Sequence, residues 1–221
     1  MIPQKPSYYC RRAPAGLTIE GRIAGTVWER ATWIREAFHL LGRPSEQSRY
    51  FLEAATLWDE EALYVTFVSD PAPVPVTKTR RDDDLFNECT VEVFLRAGVG
   101  YYEIEVNPLG TVLDLHFPDA ADENWEDYAR FDVPGMEWVV EAVGDAGQWC
   151  TQIAIPWAGL PELTRTEHEG AVCLLANLAR SQKLPDGTYD LTTWGTAQEK
   201  FCELEQMGRL ILTEKTISRG T

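Results

Sequence analysis

The sequence predicts an all-β chain that forms a single-domain β-sandwich of mainly antiparallel strands with few short helices. Short segments of alternating apolar and polar residues recur along its 221 residues, and Gly, Pro and Asp stand at the breaks between them. Helix patterns are confined to 29–38 and one turn after Pro156. Because 44% of the residues are hydrophobic, we expect one domain over 1–221, with 1–15 loosely ordered.

The strands are predicted from alternation and from residue type. Segment 62–68 is rich in β-branched and aromatic residues, while 90–95 and 101–107 alternate strictly between apolar and polar side chains. Successive side chains of a strand point to opposite faces of the sheet, so these segments each present one face to a core. The predicted strands are 62–68, 90–95, 101–107, 111–117, 138–143, 148–155, 172–179 and 209–213.

The charge balance restricts the classes of partner. Twenty Lys and Arg residues stand against 35 Asp and Glu, which gives a formal net charge of −15. A surface this acidic repels phosphate groups, so we expect neither a nucleic acid nor a membrane as partner. Divalent cations and neutral ligands remain compatible with it. Aromatic residues reach 11%, with eight Trp, and their flat apolar faces suit the C–H faces of sugars, although most Trp side chains fill cores.

The first residues bear on localisation. They read MIPQKPSYYCRRAPAG and contain no apolar run of the kind that forms a signal peptide. Nor is any later segment apolar over a length that spans a bilayer. We therefore expect a cytoplasmic chain, or an extracellular one if an N-terminal signal has been removed.

The segments 90–95 and 101–107 are predicted to pair as an acidic hairpin, joined by a glycine-containing turn at 96–100. Aligning their apolar rows fixes the register, because a slip of one residue would move every apolar side chain to the other face. In that register Glu92 lies opposite Glu105. Facing carboxylates are destabilising unless a cation, an arginine, a retained proton or solvent compensates. Two interpretations stay open, a solvated sheet face and a pair of catalytic carboxylates.

A charged loop precedes this hairpin. Asp82, Asp83 and Asp84 stand together in it, and clustered carboxylates can bind calcium, although their spacing is not that of an EF-hand. A solvated loop is the alternative. Arg81 in the same loop, or Arg180 further along the chain, is a candidate to neutralise the facing glutamates, since a guanidinium can fork onto carboxylates.

Several motifs, taken in order, resemble those of a known family. They are Ile19-Glu20-Gly21, the tryptophans at Trp28 and Trp33, Leu57-Trp58-Asp59 leading into Leu63-Tyr64-Val65, Val91-Glu92-Val93-Phe94-Leu95, Tyr101-Tyr102, Val106-Asn107-Pro108-Leu109-Gly110-Thr111, Ala154-Ile155-Pro156-Trp157, Asn177-Leu178-Ala179-Arg180, Thr193-Trp194 and the segment 201–210. Their order and spacing resemble the family-9 carbohydrate-binding modules.

The resemblance implies a β-sandwich that binds a mono- or oligosaccharide without cleaving it, in the service of carbohydrate catabolism. A protein of this kind requires no cofactor, and the resemblance implies a structural calcium ion. It places Trp194 and Phe86 at the positions whose rings stack on the sugar, and Glu92 and Asn107 at hydrogen-bonding positions. Glu105 falls where the family carries arginine, so a donor is replaced by an acceptor next to another carboxylate.

Two other functions remain as alternatives. The first is a glycoside-processing enzyme that uses Glu92 and Glu105 as its carboxylate pair. The second is a haem-binding sandwich module, because relatives of similar shape bind haem, with axial ligands drawn from His116, Met136, Met207 or a lysine.

Overall fold

The computed structural model describes residues 4–35 and 37–217. It confirms the all-β class. The strands are β1 (Ser7–Arg12), β2 (His39–Leu40), β3 (Leu52–Trp58), β4 (Ala62–Ser69), β5 (Cys89–Ala97), β6 (Gly100–Val106), β7 (Val112–Phe117), β8 (Glu137–Val143), β9 (Gln148–Pro156), β10 (Arg165–His168), β11 (Ala171–Lys183), β12 (Tyr189–Thr193) and β13 (Gly208–Thr216). Short 3₁₀ helices lie at Val27–Arg30, Leu85–Asn87, Trp125–Asp127, Trp157–Gly159 and Leu204–Gln206. Within residues 4–35 and 37–217, no helix is long and apolar enough to cross a membrane.

The strands form one curled sheet whose two halves pack on a shared core. Its order is β7-β6-β5-β11-β13-β1-β3-β4-β9-β8, and the main core unites side chains from both halves, for example Val93 and Ile104 with Phe67 and Ile153. Neighbouring strands on this path are antiparallel except around β1, which runs parallel to both β13 and β3. The strand β1 therefore links the two halves of the sandwich.

Every predicted strand is present, with ends that differ by a few residues, whereas the predicted helix at 29–38 is wrong. Among the described residues of that segment, a helical turn forms only at the start, in Val27–Arg30. Further along, Ile34 exchanges backbone hydrogen bonds with Ala54 at 2.7 and 3.1 Å, and pairing with the edge of β3 replaces helical pairing. Glu36, in the middle of the predicted helix, lies outside the described residues. The turn predicted after Pro156 is confirmed by the 3₁₀ helix at Trp157–Gly159.

The N-terminal segment is more regular than the sequence suggested. We expected 1–15 to be loosely ordered, but within it Ser7–Arg12 forms β1 and pairs with β13 along most of its length. Cys10 of this strand is fully buried in the main core. Burial of alternate side chains and pairing on both edges hold the segment in place, and neither can be read from its short, weakly alternating sequence.

The hairpin of β5 and β6 has the register that alternation predicted. Val91 pairs with Val106 and Glu92 with Glu105. The apolar face lies in the main core, as expected. Much of the acidic face is covered, because loops and the 3₁₀ helix Leu85–Asn87 pack against it in a second apolar cluster. That cluster contains Leu85, Phe94, Tyr101, Leu113, Leu115, Phe117, Ala179 and Met207.

Candidate functional site

A cavity of about 530 Å³ opens on this covered face of the sheet. Its floor is set by strand alternation and register, which bring side chains of four adjacent strands to one surface. Three segments that follow or precede strands form the walls: the 3₁₀ helix Leu85–Asn87, the loop after β7 and the loop after β12. The floor residues are Glu92 and Phe94 of β5, Tyr101 and Glu103 of β6, Phe117 of β7 and Ser181 of β11, with Tyr189 and Leu191 of β12 beside them.

Aromatic rings line much of the cavity. The ring of Phe86 meets that of Trp125 edge to face, with centroids 5.5 Å apart and an interplanar angle of 81°. On the floor, the ring of Phe94 lies 5.9 Å from that of Phe201 in the wall. Tyr189 stands at the rim with 37% of its surface exposed. Fixed rings with free faces next to polar groups are the arrangement in which a flat, partly apolar ligand can stack.

Three glutamates form a carboxyl cluster at the floor. One oxygen from each of Glu92, Glu103 and Glu105 lies within 4.8 Å of the others. Thr90 donates a hydrogen bond of 2.6 Å from its hydroxyl to Glu92 Oε1. Glu105 is 0% exposed, and neither of its oxygens accepts a hydrogen bond of good geometry. Its carboxyl group lies beside those of Glu92 and Glu103 and near the backbone N–H of Phe86.

Burial changes the protonation of this cluster. Loss of solvation raises the pKa of Glu103 to about 8, with the charge of Glu92 as the second cause. It raises the pKa of Glu105 well above its ordinary value, and the charges of Glu92 and Glu103 add to that effect. The pKa of Glu92 is also raised by burial, although hydrogen bonds from Thr90 and Ser181 oppose the increase. The cluster therefore retains protons at neutral pH, and these compensate the facing glutamates.

Neither Arg81 nor Arg180 neutralises the facing glutamates, although the sequence analysis offered both as candidates. Arg180 points to the opposite face of β11, where its guanidinium donates 2.8 Å to the Phe51 carbonyl and 3.3 Å to Asp190 Oδ1. Arg81 donates 2.5 Å from Nη2 to Asp114 Oδ1 and also pairs with Asp132. The expectation that one of them neutralises the glutamate pair is thus wrong on geometric grounds. Neither arginine lines the cavity, and contact of either with a ligand stays a prediction.

The three consecutive aspartates do not come together as a ligand set. Asp83 accepts a hydrogen bond of 2.9 Å from Arg80, and Asp84 pairs with Lys78. Asp82, in a left-handed conformation with φ 64°, lies near Asp114 and Asp132 instead. Those two carboxylates already hold the Arg81 guanidinium. The guanidinium of Arg81 thus neutralises two of the three carboxylates in this group, and the structural calcium that the family resemblance implies stays a prediction.

No protein-family model matches the sequence, and the comparison with curated proteins gave no match. Solved structures do match. One is a protein from Bacteroides uniformis to which carbohydrate binding is attributed, with a TM-score of 0.73, 13% identity, and 95% of this chain and 100% of that chain covered. The others are a family-9 carbohydrate-binding module from Caldicellulosiruptor kristjanssonii. Its complex with cellotriose has a TM-score of 0.63, 14% identity and 94% and 95% coverage. Its complex with glucose has a TM-score of 0.64, 13% identity and 97% and 98% coverage.

This chain has the fold of a family-9 carbohydrate-binding module. Within that fold, two residues implied as ligand contacts have structural roles here. Trp194 is 2% exposed and packs in the main core, where a Cβ added to Gly208 would lie 2.7 Å from its ring. Asn107 is buried and holds the turn after β6: its amide donates 2.8 Å to Lys78 O, and its Oδ1 accepts from the N–H groups of Leu109 and Thr111. Neither side chain lines the cavity.

The cavity thus contains only part of the predicted site. Phe86 and Glu92 line it, and Glu105 lies directly beside the two glutamates of its floor. Strand alternation had already placed Glu103 on this face, and that signal could have identified it. The wall residues Trp125, Phe201 and Lys200 were missed because they lie outside the strands, where the sequence carries no periodicity. Tyr189 was missed because it lies on β12, a strand that the sequence analysis did not predict.

The haem ligands proposed from the sequence do not converge in this family-9 fold. His116 stacks on Tyr102 at 4.3 Å between ring centroids, and its Nε2 lies 3.8 Å from a Glu162 oxygen. Met136 is buried in the main core and Met207 in the second cluster. None of these three side chains lines the cavity.

Proposed function

We propose that the chain binds a carbohydrate in the cavity above β5 and β6 and does not cleave it. The observation that carries this proposal is the cavity itself, in which aromatic rings border carboxyl and hydroxyl groups on a rigid sheet face. A volume of about 530 Å³ falls within the range of ligand sites, roughly 300–1,000 Å³. The shared fold with modules that bind cellotriose and glucose supports the same class of ligand.

The rings supply stacking surface and the floor supplies polarity. Phe86, Trp125 and Tyr189 offer faces or edges to an apolar sugar surface, and Glu92 and Ser181 can exchange hydrogen bonds with hydroxyl groups. Stacking and a few hydrogen bonds leave a modest net free energy after the cost of ordering. We expect dissociation constants from micromolar to millimolar, roughly −4 to −8 kcal/mol.

The geometry of the glutamates supports binding over hydrolysis. In a glycosidase the two carboxyl groups must both reach the scissile bond. Glu92 and Glu105 stand side by side on one sheet face, and Glu105 is fully buried and does not line the cavity. A sugar in the cavity would contact one of the pair. We expect no turnover of aryl glycosides between about pH 4 and 8, and turnover that disappears in Glu92→Gln would establish the enzyme instead.

Calorimetry with a panel of mono- and oligosaccharides tests the proposal. We expect saturable heat with at least one sugar. Tyr189→Ala should weaken that binding about fivefold, since a lost stacking ring costs about 1 kcal/mol. Tyr9→Ala is the matched control, because Tyr9 is an exposed tyrosine at 51% and does not line the cavity. Absence of binding by every sugar, or equal weakening by both substitutions, would refute a sugar site in this cavity.

A further inference from the structure

The cavity carries a strong excess of negative charge. Five acidic side chains line it: Glu92 and Glu103 on the floor, and Asp122, Glu123 and Glu199 in the walls. Of the described lining residues only Lys200 is basic, and it already pairs with Glu123 at the rim. A neutral sugar does not require this. Its hydroxyl groups need donors as well as acceptors, and an ionised carboxylate of the wall, such as that of Asp122, only accepts.

The buried glutamate beneath the floor gives a second, independent indication. Glu105 is completely buried, and both of its oxygens lack a hydrogen-bond partner. Such a group is costly unless something compensates it, because a buried acceptor has lost its water. The carboxyls of Glu92 and Glu103 lie within 4.8 Å of it, and both of these residues line the cavity. A positive group bound between these two would stabilise all three carboxyls at once.

The geometry points to a cationic amino sugar as the ligand, with its ammonium group held between Glu92 and Glu103 and its ring against the aromatic walls. This inference rests on the proposed sugar-binding function and narrows its ligand. An ammonium carries three donors and no acceptor, which matches a floor of carboxyl oxygens. The rings of Phe94 and Tyr101 are neighbours on the same floor. Aromatic faces also attract organic cations.

A calcium ion fits this floor less well than an amine does. Calcium takes six to eight oxygen ligands, and the floor offers two carboxyls, with that of Glu105 beneath them, flanked by aromatic rings. Binding of an amine is coupled to the protonation of the cluster. Burial raises the pKa of Glu103 to about 8, so a bound ammonium would displace a proton from the cluster and neutralise the carboxylate in its place.

The test compares glucosamine with its neutral analogue N-acetylglucosamine and with glucose, by calorimetry at about pH 6.5, where the free amine is protonated. We expect glucosamine to bind at least about tenfold more tightly than either neutral sugar, equivalent to about 1.4 kcal/mol. In Glu103→Gln this preference should fall to about twofold or less. Glu126→Gln is the matched control: Glu126 follows Trp125 in the wall but is exposed and does not line the cavity, so the preference should persist.

Each other result contradicts the inference in a distinguishable way. Equal binding of all three sugars removes the cationic preference and leaves the sugar site intact. Ethanolamine binding as tightly as glucosamine shows an amine site that does not recognise a sugar. Tight calcium binding that glucosamine does not displace assigns the floor to a metal. Failure of every sugar to bind refutes the proposed function together with its ligand. Circular dichroism and thermal unfolding of Glu103→Gln establish that the variant is folded.

Discussion

At the scale of single residues, the site is defined by polar groups held where burial changes their chemistry. Glu105 illustrates this, since it is buried without a hydrogen-bond partner beside two further carboxyls. In the unfolded chain the same carboxyl would ionise near its ordinary pKa of 4.5. The folded state keeps the proton to a higher pH. Folding therefore takes up a proton, and the stability contributed by the neutral group is lost as pH rises.

This coupling predicts the pH dependence of stability. Between about pH 5 and about pH 8, the pKa to which Glu103 is raised, the free energy of unfolding of the parent should fall. Glu105→Gln should show a shallower fall, because glutamine has no proton to release and relieves the repulsion on its neighbours. Urea unfolding at both pH values measures the two slopes. Identical slopes in parent and variant would show that Glu105 ionises normally in the folded state.

Trp194, identified from the sequence, and Tyr189, identified from the structure, should differ in how much stability is lost when each is replaced by alanine. Trp194→Ala removes a fully buried ring from the main core and should lower the free energy of unfolding by about 3–5 kcal/mol. Tyr189→Ala, at the cavity rim, should cost about 1 kcal/mol or less. Denaturant titration of both variants measures this contrast. A small loss for Trp194→Ala would place its ring at the surface, where the family resemblance implies it.

At the scale of elements, the β5–β6 hairpin shows what alternation can and cannot predict. Period-two patterning was sufficient for the register and for which residues share a face, because both follow from backbone geometry alone. It could not show that the acidic face is covered. The cover comes from the 3₁₀ helix Leu85–Asn87 and from loops near Trp125 and Phe201, which pack against it from distant positions in the sequence. The helix and loops that cover this face could therefore not be predicted from the alternation pattern.

The close approach of Gly100, at the start of β6, to strand β7 leads to a prediction about stability. A Cβ added to Gly100 would lie 1.8 Å from the Phe117 carbonyl oxygen, which is backbone and cannot move without breaking the β6–β7 pairing. Gly100→Ala should destabilise the protein by about 3 kcal/mol or more and weaken sugar binding, since Glu103 lies on the displaced strand. Thermal unfolding and calorimetry measure the two effects.

The matched control lies two residues earlier. Gly98 has a φ of 59° but nothing within 4 Å of an added Cβ, so Gly98→Ala should cost only the left-handed strain of about 1–2 kcal/mol. Sugar affinity should be unchanged in this variant. Equal effects of the two substitutions would mean that the close approach of Gly100 to β7 is relieved without cost.

At the scale of the whole molecule, the sandwich depends on β1. This strand connects the half of the sheet that bears the cavity to the other half, through parallel pairing with β13 on one side and β3 on the other. Tyr9→Pro tests the connection, because proline removes a backbone donor and disrupts the strand. We expect a loss of about 2–4 kcal/mol of unfolding free energy, against a small change for Tyr9→Ala. Equal stabilities of the two variants would show that the halves hold together without this pairing.

The pairing of β1 with β13 also has a consequence for how the protein is made. Residues that pair between these two strands, such as Ser7 and Arg209, are about 200 residues apart in the chain. During synthesis β1 leaves the ribosome early, yet its main partner follows only after nearly every other strand has emerged. Closure of such a distant contact is slow. We therefore expect the sheet to close after translation has passed β13, with β1 exposed to other chains until then.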